Sequence, residues 1–277
     1  MSREDFCVFI LSHGRPQNVK THELVRRLGY TGKLFVVCDN EDDTLQEYYD
    51  AFGEEVVVFN KAFYLGKLDG YTNTGERNNV LYARNACFDL AEELGFKYFC
   101  ELDDDYYYFG QKHETESSCY IYDLDTMFNL FVDFLESTPT TSIAFAQGGD
   151  LIGGLKGKPL VKRKAMNSFF CSTEKRFDFY GIFNDDVNTY VGLGKVGKLF
   201  FSVQNLIICP YASQSLESGI TDAYMKYGTY VKSFMSVIAN PSCVKINTMG
   251  ISSKRLHHSI AWNNAVPCIL REEHKKK

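Results

Sequence analysis

The sequence lacks the patterns that mark several specialised classes of protein. Its 277 residues contain no Cys-x-x-Cys pair, and the nine cysteines are scattered singly, which argues against a disulfide framework and against a zinc ribbon. The apolar run near the N-terminus, at residues 6–11, spans only six residues and is too short for a signal-peptide core or a membrane span. We therefore expect a soluble, cytoplasmic protein with no membrane partner.

The sequence also has no excess of positive charge. The formal net charge is −5 and the pI is about 5.7, so no overall basic field draws the chain to nucleic acid. Any polyanion must therefore be held by a local patch. Hydrophobic residues make up 45% of the chain and charged residues 23%, which is typical of a soluble globular protein and excludes wholesale disorder.

Strand and helix patterns alternate regularly in residues 1–105. Apolar runs at 6–11, 34–38, 56–59 and 97–102 predict strands, and periodic segments at about 16–28, 44–52 and 76–94 predict helices. Short apolar strands that alternate with helices indicate βαβ units and a mostly parallel sheet covered on both faces. Ligands bind outside the carboxyl ends of the strands in such a sheet.

The pattern changes after residue 105. A helix at 124–135, strands near 143–146, 168–171 and 200–208, and helices at 186–191 and 222–239 indicate an α+β arrangement. No internal repeat, low-complexity segment or linker rich in Pro, Gly or Ser divides the chain. We therefore predict an α/β fold in one domain, 1–277, with a nucleotide-type half at 1–105 and an elaborated half at 106–277.

Three successive carboxylates, Asp103, Asp104 and Asp105, follow the fourth predicted strand. Like charges at the end of a strand repel one another, and Mg²⁺ or Mn²⁺ neutralises such a cluster together with substrate phosphates. Alternate residues of an extended segment face the same way, so we expect Asp103 and Asp105 to share one side. A solvated acidic turn is the alternative.

Polar loops follow the first and second strands at the same predicted edge. Gly14 permits a sharp turn, Pro16 suits the first position of a helix, and Arg15 is placed to contact a pyrophosphate. The loop has neither the dinucleotide-binding nor the P-loop pattern. Asp39, after the second strand, can accept hydrogen bonds from a base or ribose. An ordinary β–α turn is the alternative for the first loop.

Two polar clusters stand out in the second half. Asp185 and Asp186 precede a predicted helix, where a carboxylate is either an N-cap or the general base for a hydroxyl acceptor. His257 and His258, near the C-terminus, are candidates for a metal ligand or a phosphate contact.

The dense basic stretch outside the C-terminal tail comprises Lys156, Lys158, Lys162, Arg163 and Lys164. It lies in a segment with glycines at 148, 149, 153, 154 and 157, which we expect to form a mobile loop or hairpin. Five cations within nine residues predict contacts with a phosphate backbone. A solvated loop is the alternative.

Together these features resemble the GT-A-type glycosyltransferases, and more narrowly the phage TET-associated glycosyltransferases, which glycosylate 5-hydroxymethylcytosine in DNA. Five stretches carry the resemblance, which covers nearly the whole chain: 9–16 (Phe-Ile-Leu-Ser-His-Gly-Arg-Pro), 37–39 (Val-Cys-Asp), 83–85 (Ala-Arg-Asn), 101–105 (Glu-Leu-Asp-Asp-Asp) and 183–186 (Phe-Asn-Asp-Asp). It implies a GT-A-like fold, with a Rossmann-type nucleotide half and an α+β acceptor half.

The resemblance also implies roles for individual residues. Asp103 and Asp105 would bind a divalent metal, Mn²⁺ or Mg²⁺, with His258 favoured over His257 as a further ligand. The pocket for the UDP-sugar donor would contain Ser12, His13, Arg15, Asp39, Arg84 and Asp104. The acceptor, DNA that contains 5-hydroxymethylcytosine, would contact Lys162, Arg163 and Lys164.

The implied reaction is one inverting displacement in which an acidic residue removes the proton of the acceptor hydroxyl. The family's acidic triplet usually reads x-Glu-Asp with the last residue as the base; here it reads Asn-Asp-Asp, so Asp186 is the favoured base and Asp185 the alternative. A duplex acceptor would have to flip its base into a pocket with aromatic walls, for which Tyr106, Tyr107 and Tyr108 are candidates.

Three other functions remain open at this point. A nucleotidyltransferase of similar fold would also use paired carboxylates, but it would release pyrophosphate. A GT-A enzyme could act on a protein or a glycan, and a non-catalytic module could bind DNA or a glycan without needing a metal.

Overall fold

The computed structural model describes residues 1–71, 77, 79–113, 117–147, 150, 160–211, 226–228, 230–250 and 254–266. The strands are β1 (Phe6–Leu11), β2 (Lys33–Asp39), β3 (Val56–Phe59), β4 (Tyr98–Asp103), β5 (Tyr106–Lys112), β6 (Ser118–Tyr120), β7 (Ser142–Gln147), β8 (Val161–Lys162), β9 (Ser168–Ser172), β10 (Phe200–Pro210), β11 (Val244–Met249) and β12 (Arg255–Ile260). The α-helices are α1 (Lys20–Arg27), α2 (Leu45–Phe52), α3 (Lys61–Leu65), α4 (Val80–Glu93), α5 (Leu124–Ser137), α6 (Asp185–Gly194), α7 (Val231–Ala239) and α8 (Trp262–Ala265).

Within these residues, β1 to β10 form one sheet in the order β3-β2-β1-β4-β9-β7-β10-β5-β6, with β8 paired to β10. The first four strands along this order run parallel. The pairs that involve β9, β5, β6 or β8 are antiparallel, while β7 and β10 run parallel. The predicted α/β class, with a parallel first half followed by an α+β half, is confirmed.

Parallel pairing brings the ends of the first strands to one edge of the sheet. Leu11 at the end of β1 pairs with both Val37 of β2 and Asp103 of β4, and Asp39 pairs with Phe59 of β3. This register is well specified, because every residue of β1 is buried and a slip would disturb the packing on both faces. The loops after β1, β2 and β4 therefore lie side by side.

Aromatic side chains pack helices onto both faces of the sheet. On one face, Phe88 of α4 contacts Phe99 with ring centroids 4.9 Å apart. On the other face, Phe128 of α5 contacts Phe6 at 6.0 Å. Edge-on aromatic pairs of this kind add to the burial energy, so the strands that carry the polar loops are held in a rigid frame.

The long helix begins later than the sequence predicted. Asn79 has an extended backbone, and its side chain accepts a hydrogen bond from the N–H of Leu81 at 2.8 Å. Asparagine is a favoured N-cap because it satisfies a free N–H of the first turn, so α4 starts at Val80 rather than at residue 76. Residues 72–76 and 78 lie outside the described residues.

Strand β5, which the apolar patterns did not predict, begins directly after the three carboxylates. A tight turn at Asp104 and Asp105 separates it from β4, and β5 pairs with β10 and β6. The run of tyrosines at 106–108 has high β-propensity, which was the available signal. Of the helix predicted at 222–239, residues 222–225 and 229 lie outside the described part of the chain. Residues 226 and 227 are helical, and α7 begins at Val231.

The C-terminal hairpin stands apart from the main sheet. Strands β11 and β12 form a two-stranded antiparallel sheet that packs against α7. The glycine-rich segment that was predicted to be a loop, with Lys156 and Lys158, lies outside the described residues. No helix among the residues that the structure describes is long and apolar enough to cross a membrane.

Candidate active site

The loop after β1 is held by buried polar contacts at the carboxyl edge of the sheet. The Ser12 hydroxyl donates to Asp104 at 2.5 Å and lies 2.6 Å from the Tyr48 hydroxyl. Gly14 has a φ of +68°, a conformation that favours glycine, and its N–H donates to Asp42 at 2.7 Å. The predicted turn is therefore present, and contacts with Asp104, Tyr48 and Asp42 hold it in place.

Arg15 and Asp104 form a two-pronged ion pair. The guanidinium Nε and Nη2 lie 2.8 and 2.5 Å from the two carboxylate oxygens, the planar geometry in which such pairs are strongest. Asp104 is fully buried, whereas the Arg15 side chain is 21% exposed. Asp104 thus points to the opposite side from Asp103, and it fixes Arg15 at the edge of the sheet.

Asp39 lies between two basic side chains. His13 Nδ1 is 2.8 Å from one carboxylate oxygen, and Lys61 Nζ is 2.9 Å from the other. Burial works to raise the pKa of Asp39, but the hydrogen bonds from His13 and Lys61 outweigh it and lower the pKa. Asp39 is therefore ionised, and each of its carboxylate oxygens already has a basic partner. Lys61 was not among the predicted site residues, although its place just after β3 was a usable signal.

Asp103 and Asp105 differ in how their charge is compensated. The Asp103 carboxylate accepts hydrogen bonds from Arg84 Nη2 and the Tyr106 hydroxyl, both at 3.2 Å. Among the described residues, no cation lies within ion-pair distance of Asp105. Burial, followed by the charges of Asp103 and Asp104, raises the pKa of Asp105 to about 7. The sequence predicted that all three carboxylates would lack neutralisation, but Arg84 and Arg15 pair with Asp103 and Asp104, which leaves Asp105.

Arg84 connects the two halves of the site. Its side chain is only 4% exposed and lies over the ring of Phe169 at 4.8 Å. Besides Asp103, Arg84 Nε is 3.0 Å from Asp185, within ion-pair distance but not aligned for a hydrogen bond. Burial alone would lower the pKa of Arg84, but Asp185 and Asp103 raise it, so the guanidinium stays charged.

The acidic pair at the start of α6 is positioned by a strained residue. Asn184 has a left-handed backbone (φ 52°), which costs a non-glycine residue energy and is common at functional sites. Its side-chain N–H groups donate to the Lys232 carbonyl at 2.8 Å and to Ser236 at 3.0 Å. Asn184, not an aspartate, precedes the helix, so neither Asp185 nor Asp186 is the N-cap.

Asp186 is a buried carboxylate next to a second one, Asp185. Burial, and then the neighbouring charge of Asp185, raises the pKa of Asp186 to about 7. One of its oxygens accepts the N–H of Val187 at 2.7 Å, which orients the carboxylate. Burial also raises the pKa of Asp185, with Arg84 acting against it.

His258 lies beside Asn184, the residue that precedes the acidic pair. Its Nδ1 is 3.2 Å from the Asn184 amide nitrogen. Burial and nearby cations lower its pKa to about 4, so the imidazole is neutral at pH 7. Across the described ranges, no group of three His, Cys, Asp or Glu side chains is close enough to hold a metal.

The basic stretch makes contacts within the chain. Arg163 donates to the Lys198 carbonyl at 3.0 Å and lies over Phe201, while Lys164 forms an ion pair with Asp150. Lys162 ends β8 and is half-buried. The charge of Lys164 also lowers the pKa of His258, after burial and the charges of His257 and Lys232.

Two exposed tyrosines adjoin the acidic turn. The rings of Tyr107 and Tyr211 lie 5.0 Å apart, and each residue is 44% exposed. The Tyr211 N–H donates to the Asp105 carbonyl at 2.9 Å. Tyr106, by contrast, is fully buried. Of the tyrosines predicted to line a base pocket, Tyr106 is therefore unavailable for stacking, whereas the ring of Tyr107 is exposed.

The chain is similar to several solved structures, all at low sequence identity. TarS 1–349 of S. aureus is 12% identical with a TM-score of 0.42, and the alignment covers 87% of this chain and 66% of that chain. The mannosyltransferase PcManGT from Pyrobaculum calidifontis, solved in complex with GDP-Man and Mn²⁺, is 10% identical with a TM-score of 0.45, covering 86% and 74%.

A further TarS 1–349 structure was solved in complex with UDP-GlcNAc; it is 12% identical with a TM-score of 0.43, covering 87% of this chain and 68% of that one. This chain therefore spans about two thirds of the TarS fragment. No curated protein matches the sequence significantly.

The sequence model of one family matches most of the chain. It is the TET-Associated Glycosyltransferase family, and the match covers residues 6–215. This range contains the loop after β1, the carboxylates after β4 and the acidic pair of α6, but not His258. The chain therefore belongs to the TET-associated glycosyltransferase family.

Proposed function

We propose that the chain transfers a sugar from a UDP-sugar to the hydroxymethyl group of 5-hydroxymethylcytosine in DNA, with inversion and with a divalent metal. The observation that carries the proposal is the position of Arg84, which contacts Asp103 after β4 and Asp185 on α6. A donor held at Asp103 and an acceptor held at α6 would meet across this one guanidinium. Membership of the family supports sugar transfer as the reaction. The DNA acceptor is predicted from the resemblance of this chain to that family.

The carboxylates after β4 fit a metal ion that also binds a diphosphate. Mg²⁺ and Mn²⁺ are commonly held by one or two carboxylates together with substrate phosphates, and Asp105 lacks a described cationic partner. Asp103 and Asp105 would hold the ion, which neutralises negative charge on the departing UDP. His258 is neutral and therefore chemically suited to bind a metal ion, but it lies beside Asn184 at the start of α6.

Residues of the chain itself would bind the diphosphate and remove the proton of the acceptor. Arg15, fixed by Asp104, supplies positive charge for the diphosphate at the end of β1. Asp186 removes the proton of the acceptor hydroxyl while that oxygen bonds to the anomeric carbon and the bond from that carbon to UDP breaks. A base with a pKa near the working pH is the most effective in this role. The proton ends on Asp186, and UDP leaves.

Replacing Tyr211 by Ala is expected to raise the KM for DNA by about 5- to 150-fold, the equivalent of 1–3 kcal/mol of base stacking. The exposed rings of Tyr107 and Tyr211 adjoin Asp105 and offer a face to an unstacked base. Steady-state kinetics with varied oligonucleotide measures this, and the KM for the UDP-sugar should stay unchanged. Tyr49→Ala is the matched control, because Tyr49 has the same exposed fraction but lies on α2. An equal rise in both variants would refute a stacking role for Tyr211.

Replacing Lys162 by Gln is expected to reduce the slope of log KM for DNA against log salt concentration by about 0.7–0.9, the release of one counterion. Lys162 is the member of the basic stretch that lies in strand β8. Lys97→Gln removes the same charge beside the start of β4, at the opposite edge of the sheet, and should leave the slope unchanged. Identical slopes for wild type and Lys162→Gln would show that this lysine does not contact the DNA backbone.

The proposal is tested by measuring UDP release with hydroxymethylated and unmodified DNA of one sequence. A panel of UDP-sugars is supplied with Mn²⁺, and UDP should appear only with the hydroxymethylated DNA. Equal UDP release with both DNAs, or none with either, would reject the proposed acceptor.

A further inference from the structure

Glu101 is a buried acidic residue that the reaction described above does not use. It lies in the middle of β4, paired with Phe9 of β1 and Phe169 of β9, and is fully buried. Within the described part of the chain, neither carboxyl oxygen has a hydrogen-bond partner. A buried polar group without a partner is costly, so the position of Glu101 calls for an explanation.

Arg84 is similarly incomplete on the side that faces Glu101. Its Nη2 donates to Asp103, but Nε and Nη1 have no hydrogen-bond acceptor in the described structure. Nη1 lies 3.9 Å from Glu101 Oε2, which is less than 1 Å beyond the usual hydrogen-bond range. The unused donor Nη1 thus faces the two unused oxygens of Glu101 across a short gap, while Nε lies beside Asp185.

The register of β4 explains this arrangement. Glu101 and Asp103 are two residues apart on one strand, so their side chains project from the same face. The guanidinium of Arg84, lying against Phe169, is next to both carboxyl groups. It hydrogen-bonds Asp103 in this structure, and a small rotation would bring it to Glu101 instead.

We propose that Glu101 is a positioning residue that accepts the hydrogen bonds of Arg84 when Asp103 turns to the divalent metal. The inference rests on the proposed function. A metal at Asp103 withdraws the one carboxylate that Arg84 hydrogen-bonds among the described residues, and it adds a second cation nearby, while Asp185 stays at Nε only. Glu101 then keeps the buried guanidinium paired on the side away from the metal. Without Glu101, Arg84 competes with the metal for Asp103.

The test measures Mn²⁺ affinity in the presence of UDP, from the EPR signal of free Mn²⁺. Replacing Glu101 by Met, which removes the acceptor, should weaken Mn²⁺ binding by about 10- to 100-fold, the usual effect of losing a partner behind a metal ligand. Glu101→Gln keeps an acceptor oxygen at the same reach and should bind Mn²⁺ nearly as well as wild type. Cys100→Ala, a buried change on the opposite face of β4, should leave Mn²⁺ affinity unchanged.

Glu101→Asp provides a second variant in case Met at this position prevents folding. Its shorter side chain withdraws the acceptor from Arg84, so it should also weaken Mn²⁺ binding. Wild-type Mn²⁺ affinity in Glu101→Asp or in folded Glu101→Met would overturn the inference, as would a Gln variant as weak as Met. If Asp103→Asn loses Mn²⁺ binding while the Glu101 variants give one of these results, only the role of Glu101 is refuted and the proposed metal site still stands. Failure of wild type to bind Mn²⁺ with UDP would overturn both.

Discussion

Replacing Asp186 by Asn should lower the turnover number by about 10²–10⁴-fold, the usual contribution of a positioned base. Asn has the same size and can still accept the N–H of Val187, so α6 should remain intact. The affinity for the UDP-sugar should stay near that of wild type, because Asp186 meets the acceptor. Single-turnover kinetics with saturating donor separates the chemical step from binding.

The pH dependence gives an independent check on Asp186. The base must be deprotonated, so turnover of wild type should rise with pH through about 7, the pKa that burial and Asp185 give to Asp186. Asp185→Asn removes the neighbouring negative charge and should move this midpoint to lower pH. Wild-type turnover in Asp186→Asn together with a collapse in Asp185→Asn would assign the base to Asp185 instead.

Replacing Asp105 by Asn should abolish most turnover, and so should Asp103→Asn or a chelator added to wild type. The two carboxylates are the candidate ligands of the ion that offsets charge on UDP, and each supplies an anionic oxygen that an amide does not replace. UDP binding measured by calorimetry with and without Mn²⁺ reports this loss directly. Full activity of both variants in the presence of chelator would remove the metal-dependent mechanism.

The two variants should differ in stability, which distinguishes loss of metal from loss of fold. The pKa of Asp105 is raised above its value in an unfolded chain, so ionisation of Asp105 lowers the free energy of unfolding as the pH rises from about 4 to 7. Asp105→Asn removes this penalty and should raise the melting temperature at pH 8. Asp103→Asn weakens the pair with buried Arg84 and should lower it.

The parts of the site that follow strands could be predicted from the sequence. Apolar runs locate β1, β2 and β4, and parallel pairing then places Arg15, Asp39 and the carboxylates after β4 at one edge. Asp104 and Asp105 form a turn rather than part of a strand, so the predicted shared side of Asp103 and Asp105 stays a prediction. These predictions depend only on local pattern and on a general rule of sheet topology.

Contacts between distant segments could not be predicted in this way. Nothing in the local sequence shows that Arg84 reaches Asp185, or that Tyr48 on α2 supports Ser12, because these contacts depend on how helices pack on the sheet. Glu101 is an acidic residue within an apolar strand pattern, and the sequence does not show that its carboxyl group lies next to Arg84. Lys61 was detectable in principle, since it follows β3 at the same edge, but a single lysine there is a weak signal.

The most direct test of the account is mass spectrometry of the nucleosides from hydroxymethylated DNA after incubation with the enzyme, Mn²⁺ and a panel of UDP-sugars. The account predicts that 5-hydroxymethylcytosine gains the mass of one glycosyl unit with one donor, and that Asp186→Asn largely prevents the gain. Unchanged 5-hydroxymethylcytosine with every UDP-sugar, while the enzyme still consumes a donor on a protein or glycan acceptor or releases pyrophosphate from a nucleoside triphosphate, would contradict it.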